Sequence, residues 1–294
     1  MNKKIFFPVL LLAATFIACS SDDDPSIDTS RKMTVEVSET PLVPEGDEAR
    51  QMDVTRTAEA TTTASLDEFS MNYMESKYDF IKTGSGWNSH DWPSGPGFDD
   101  VIDFYAYNAG RLEWNSGKPY VSFKMDEDVA NQKDLLVATR SVSKNGCGGV
   151  VSLNFHHACA AVQFQICMTK TVSEKHNFVV KEVILKNVKN QGDYSYSEGW
   201  KDVKWSSSWE ADESKRIYTL TSGDINLTTD YQKLPCNWLF LIPQTQSGLS
   251  LEVKYTVDNV ADVKTKVINL DDQKGTWASG YEYTINIRVG TSFV

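Results

Sequence analysis

Leu249-Ser250-Leu251-Glu252-Val253-Lys254-Tyr255-Thr256-Val257 alternates apolar and polar residues without a break, and so does Tyr281-Glu282-Tyr283-Thr284-Ile285-Asn286-Ile287-Arg288-Val289. A period of two sends successive side chains to opposite faces of an extended chain, so both segments read as strands with one face in a core and one in water. Working outward, further strands are expected at Val101–Tyr107, Tyr120–Lys124, Leu135–Thr139, Val150–Phe155, Ala158–Thr169, Phe178–Asn187, Arg216–Leu220, Trp238–Ile242 and Thr265–Leu270. Turn chemistry separates them at Asn145-Gly146, Gly148-Gly149, Gln191-Gly192-Asp193, Ser222-Gly223-Asp224 and Lys274-Gly275. No long segment keeps a 3.6-residue period, so the chain reads as all-β, built of β-sandwiches. Within Ala158–Met168, the set Ala158, Ala160, Val162, Phe164, Ile166 and Met168 is expected in the core. The polar stretch Lys170–Asn177 is the expected boundary, dividing the folded part into an N-terminal sandwich over 57–175 and a C-terminal one over 176–294.

Composition agrees. The chain has 294 residues with 40% hydrophobic and 11% aromatic residues, enough for a sizeable core in about two domains. Its formal net charge is −11, which excludes the clustered basic surface that binds a nucleic-acid backbone or anionic lipid. Five cysteines are too few for a disulfide-built scaffold.

The N-terminus sets the compartment. Lys3 and Lys4 precede an apolar run from Ile5 to Ala18, too short to span a bilayer, which takes about 20 residues, but typical of a secretory signal peptide over 1–18. Phe16-Ile17-Ala18-Cys19 resembles a bacterial lipobox, which makes Cys19 the lipidation site and new N-terminus. Ser21, Asp22, Asp23 and Asp24 resemble the signal that sends Bacteroidetes lipoproteins to the outer face of the outer membrane. Lipid chains anchor at about 0.8 kcal/mol per buried CH₂, so no transmembrane helix is required. Residues 19–56 then read as a polar tether holding ten acidic and four basic residues. Inside it, Met33-Thr34-Val35-Glu36-Val37-Ser38-Glu39 alternates like a half-buried strand, and such a strand must pair with something.

No catalytic constellation emerges. Of the four histidines, His156 and His157 are adjacent and point to opposite sides of a strand, so with Cys159 they do not form a metal site. Nucleophile elbow, dinucleotide and phosphate-loop motifs are absent, and no cofactor is expected. Asp99, Asp100, Asp103 and Asp126, Glu127, Asp128 do not follow a calcium-loop pattern. Trp200, Trp205 and Trp209 cluster with Tyr194 and Tyr196, either as a glycan platform or as packing. Cys147, Cys159, Cys167 and Cys236 can pair in three ways or stay as free thiols.

Several strings resemble the fimbrillin-like family of the Bacteroidetes. They are Val101-Ile102-Asp103-Phe104-Tyr105-Ala106-Tyr107, Gln132-Lys133-Asp134-Leu135-Leu136-Val137-Ala138, the stretch from Val151 through His156-His157 to Val162, Leu241-Ile242-Pro243-Gln244, and Trp277-Ala278-Ser279-Gly280-Tyr281-Glu282-Tyr283. They occur in the family's order, with Thr55-Arg56-Thr57 ahead of them. The resemblance implies two transthyretin-like Greek-key β-sandwich domains, no enzymatic activity, and a subunit of fimbriae (pili) on the cell surface. It implies export as an outer-membrane lipoprotein and removal of the N-terminal segment by an arginine-directed protease. Arg56 is the first choice of site and Arg50 the second, with Met33–Glu39 as the released strand. Its partners would be other fimbrial subunits, joined by donor-strand insertion, and a host or glycan ligand. Only Gly290-Thr291-Ser292-Phe293-Val294 follows the last alternating strand, short for a donor, which favours a tip or accessory subunit over a stalk subunit and leaves open an anchor that keeps its lipid and is not cleaved. The alternative reading is a surface glycan-binding lipoprotein of a polysaccharide-uptake system, using Trp200, Trp205 and Trp209.

Overall fold

The computed structural model describes residues 32–44, 66–84, 86–196, 204–208, 217–236, 238–270 and 275–294. Among these residues the chain is all-β, and its β-sandwich layers come from five sheets. The largest has the order β1 (Thr34–Glu39), β10 (Val150–His157), β9 (Leu136–Val142), β6 (Ile102–Tyr107), β3 (Glu68–Tyr73), β4 (Ser76–Thr83), β5 (Gly86–Trp87). A second joins β17 (Gln232–Lys233), β11 (Ala160–Met168), β23 (Tyr281–Val289) and β2 (Val43–Pro44), with β18 (Leu239–Leu241) also on β11. A third has β15 (Ile217–Thr221), β12 (Phe178–Lys186), β20 (Ser250–Val257) and β21 (Lys264–Asn269), with β16 (Ile225–Asn226) on β12. The fourth runs β14 (Lys204–Ser208), β13 (Gln191–Ser195), β8 (Lys118–Lys124), β7 (Arg111–Asn115), and the fifth pairs β19 (Gln244–Thr245) with β22 (Thr276–Trp277).

The alternating segments take the places their patterns require. β20 and β23 match the two opening strings almost residue for residue, and Leu251, Val253, Tyr255, Tyr283, Ile287 and Val289 are buried in the larger core. The expected core face of Ala158–Met168 is buried, and so are Cys159, Ala161, Gln163 and Cys167 on the opposite face. The reason is pairing: β11 runs parallel to β23, and parallel pairs are usually covered on both faces. Gln191-Gly192-Asp193, expected as a turn, lies in β13, where Gly192 pairs with Phe123 on one side and Ser207 on the other. A glycine inside a strand permits close approach of neighbours as readily as it makes a turn.

The polar stretch at 170–177 holds a one-turn helix, α1 (Lys170–Ser173). Hydrogen bonding crosses residue 175 in two sheets, through β11 with β23 and through β8 with β13. Two apolar clusters result. The larger spans β8, β11, β12, β20 and β23. The smaller lies within the seven-stranded sheet and contains Met33, Val35, Phe69, Phe80, Phe104, Leu153 and Phe155. That sheet curls around its own core. The Phe69 and Phe155 rings meet at 5.1 Å, and its two ends are joined by a Met33–His90 bridge, with Met33 N–H donating to His90 O at 2.7 Å and His90 N–H donating to Met33 O at 3.0 Å. β1 therefore closes the sheet on itself.

Candidate functional site: the seat of the N-terminal strand

β1 lies parallel to β10 in continuous register from Thr34 against Val150 to Glu39 against Phe155. Thr34 N–H donates to Gly149 O at 3.0 Å and Thr40 N–H to Phe155 O at 2.8 Å, so the ladder extends beyond both ends of the strand. The alternation read from the sequence sorts its faces: Met33 and Val35 are buried and Val37 packs against the same cluster, while Glu36 and Ser38 face water. Lys32 adds an exposed ion pair to Asp91 at 2.5 Å, which contributes little in water. The chain then passes buried Leu42 and pairs β2 with β23, Val43 against Tyr281 and Pro44 against Glu282. Residues 33–44 thus fill the open edges of two different sheets. An open edge presents unpaired N–H and C=O groups, so a strand seated there satisfies what would otherwise be left bare.

Both inward series end on a polar residue. On β1 the series Met33, Val35, Val37 is followed by Glu39, and on β10 Val151, Leu153, Phe155 is followed by His157. These two side chains meet: His157 Nε2 lies 3.2 Å from Glu39 Oε1, and the exposed fractions are 1% for the histidine and 23% for the glutamate. The other imidazole nitrogen, Nδ1, is hydrogen bonded to Asp134 Oδ2. Asp134 is held in turn by its backbone: Asn108 Nδ2 donates to Asp134 O at 3.0 Å while Asn108 Oδ1 accepts from Leu136 N–H at 2.8 Å. Burial by itself pulls the His157 pKa down. The hydrogen bond and charge of Asp134, with the charges of Glu39 and Glu282, outweigh it and hold the imidazole above its ordinary value. The cluster therefore favours the imidazolium. Beside it opens a cavity of about 620 Å³ whose lining includes Glu39, Asp134, His157, Lys82, Lys133 and Phe240.

The sequence did not announce this cluster. Locally His157 stands beside His156 and Cys159, a combination that suggests only a metal ligand, whereas its partners come from two distant segments. A signal was present all the same: two clean alternations each stop on a titratable residue at an inward position. Asp134 and His157 also belong to two of the strings quoted for the family resemblance, and the fold brings them into contact.

The other sequence-derived sites divide by location. Cys19, Ser21, Asp22, Asp23, Asp24, Arg50, Arg56, Trp200 and Trp209 lie outside the described residues. Trp205 is half-buried; its Nε1–H donates to Ala158 O at 2.9 Å and its ring meets Tyr194 and Phe123 edge-on at 5.6 and 6.2 Å. Tyr194 is buried, and Tyr196 donates its hydroxyl to Ala106 O at 2.9 Å. Trp205, Tyr194 and Tyr196 pack on the larger core. Among the described residues Cys147, Cys159, Cys167 and Cys236 form no disulfide with one another. The acidic loops serve local structure: Asp100 accepts from Gly97 N–H at 2.6 Å, Asp99 from Asn145 at 2.8 Å, and Asp128 from Ala130 N–H at 3.0 Å.

Two further strings converge on one core residue. Trp277 is fully buried, its strand β22 pairs with Gln244 of the Ile242-Pro243-Gln244 string, and Tyr283 Oη bridges back to Thr276 O and Ala278 N–H at 3.1 and 2.9 Å.

No curated protein matches the chain. Among solved structures, it is similar to a fimbrial protein from Bacteroides vulgatus at 14% identity, covering 88% of this chain and 95% of that one with a TM-score of 0.52, a likeness of fold. A candidate cell adhesion protein from Bacteroides uniformis is 17% identical, with 77% and 88% of the two chains covered and a TM-score of 0.46. A family model described as fimbrillin-like matches residues 47–292, most of the chain and all of the quoted strings, and the chain therefore belongs to the fimbrillin-like family.

Proposed function

We propose that this protein is a structural, non-enzymatic fimbrial subunit of the tip or accessory type, contributing to adhesion, in which β1 is a temporary occupant of its seat. It travels to the outer face of the outer membrane as a lipoprotein on Cys19, guided by Ser21 and Asp22–Asp24. An arginine-directed protease then cuts after Arg56, or after Arg50, and a strand from another subunit takes the place of β1. The observation that carries this reading is the position of residues 33–44. They precede the family-matched region, cross two sheet edges, and are joined to β3 only through 45–65, where both arginines lie. The physics is strand addition: main-chain hydrogen bonds supply affinity and alternate side-chain pockets supply fit. While the chain is intact, the tether keeps β1 at an effective concentration on the order of millimolar, and cutting it removes that advantage.

Residues Thr291–Phe293 turn back as a short 3₁₀ helix, Phe293 is buried against Tyr255, and Tyr255 Oη donates to Phe293 O at 2.6 Å. This segment is docked on the larger core.

Cleavage of the purified protein with an arginine-specific protease, followed by intact mass, tests the reading. A stable product beginning at Thr57, or at Gln51, is expected. Stepwise degradation of the sandwiches with no stable product would overturn it.

A further inference from the structure

We propose that His157 selects the strand seated beside it, so that an incoming donor must carry a carboxylate where Glu39 now stands as well as apolar residues at the places of Met33 and Val35. This rests on the strand-replacement reading above and names the chemistry of the partner segment.

The argument is geometric. Glu39 is the sole inward-facing charged residue of β1, and it ends the series Met33, Val35, Val37. Its Oε1 stands 3.2 Å from His157 Nε2, and neither atom has a hydrogen-bond partner in line among the described residues. The ring cannot turn away, because Nδ1 is committed to Asp134, whose backbone is clamped by Asn108. Removing β1 takes Glu39 with it and opens the ring nitrogen to the vacated groove, and an incoming strand buries it again, with only the more distant charge of Glu282 left on that side. A buried polar group left unpaired carries its full desolvation cost, and a charged one carries more. A donor strand with an apolar residue at this position inherits that cost, one with an amide offers an acceptor but no counter-charge, and one with Glu or Asp restores the ion pair. The other contacts discriminate less: the side-chain hydrogen bonds of Asn154 with Ser38 and Thr40 are exposed and exchange for water at little net cost. Backbone bonds to β10 are indifferent to sequence, and the seats of Met33 and Val35 accept many apolar side chains of suitable size. The carboxylate position therefore sets which apolar alternating segments fit in register, since a slip of one residue sends it to solvent.

The test uses the full-length protein cut after Arg56 by the arginine-specific protease. Two fluorescent peptides spanning Lys32–Pro44 are added, one native and one Glu39→Gln, and binding is read by anisotropy. The native peptide is expected to bind at least ten-fold more tightly, and a His157→Gln protein is expected to bind the two alike. The peptide substitution leaves the protein untouched, so the first comparison stands even if His157→Gln does not fold. Equal binding of both peptides to the unsubstituted protein would overturn the selection by His157 while leaving strand replacement in place. Failure of both peptides to bind would overturn strand replacement and this inference with it.

Discussion

Met33→Asp is expected to unseat β1 and lower the stability of the intact protein by about 3–5 kcal/mol. Met33 is fully buried in the smaller core and exchanges two backbone hydrogen bonds with His90, closing the seven-stranded sheet. Truncating a buried methionine costs about 2–5 kcal/mol, and placing a carboxylate there adds its desolvation. The loss has a ceiling. Once the strand leaves its seat, further damage to it has nothing left to remove. Met33→Asp/Val35→Asp should therefore lie within about 1 kcal/mol of Met33→Asp alone, a departure from additivity that neighbours in one cooperative unit show. If β1 were an inseparable part of the core, the two losses would sum. Urea melts of the single and double variants decide between these outcomes.

Trp277→Ala is expected to cost about 3–5 kcal/mol, the usual range for deleting a buried Trp or Phe. Trp277 is among the largest fully buried side chains, and its Nε1 has no hydrogen-bond partner among the described residues, so the loss is one of packing. For a chain of this size a loss of that order lowers the melting temperature by roughly 10 °C. Trp277 belongs to the larger core and Met33 to the smaller, so this variant should keep the seat of β1. Differential scanning calorimetry reads the first expectation and retained protection of β10 amides the second. A change under about 1 kcal/mol would show that the residues around Trp277 collapse into its space.

The sequence was legible where one face met a core and the other met water. β20 and β23 follow their alternation, and Met33–Glu39 was recognisable as a strand even within a polar tether. Elements with one buried contact were not legible. β4 buries only Phe80 out of eight residues, so no period shows, and it escapes notice although it forms a long hairpin with β3. Partnership was hidden as well. The parallel pairing of β11 with β23 joins segments more than a hundred residues apart, and no local pattern records which strand lies beside which. The same limit concealed the polar cluster. Glu39, Asp134 and His157 each look ordinary in their own segment, and their contact exists only once β1 lies on β10.

The seat of β1 connects these points to function. Under the proposed strand replacement the segment carrying β1, on the edge of one sheet, and β2, on the edge of a second, is exchanged, and the most direct measurement is hydrogen exchange along β10 (Val150–His157) and β23 (Tyr281–Val289) before and after cleavage at the arginines. The account predicts that amides on the β1 and β2 edges lose protection when the N-terminal segment is cut and washed away, that the rest of both sheets stays protected, and that adding a peptide spanning Lys32–Pro44 restores the lost protection. Unchanged protection along both edges after the segment has gone, or collapse of protection throughout both sheets, would contradict it.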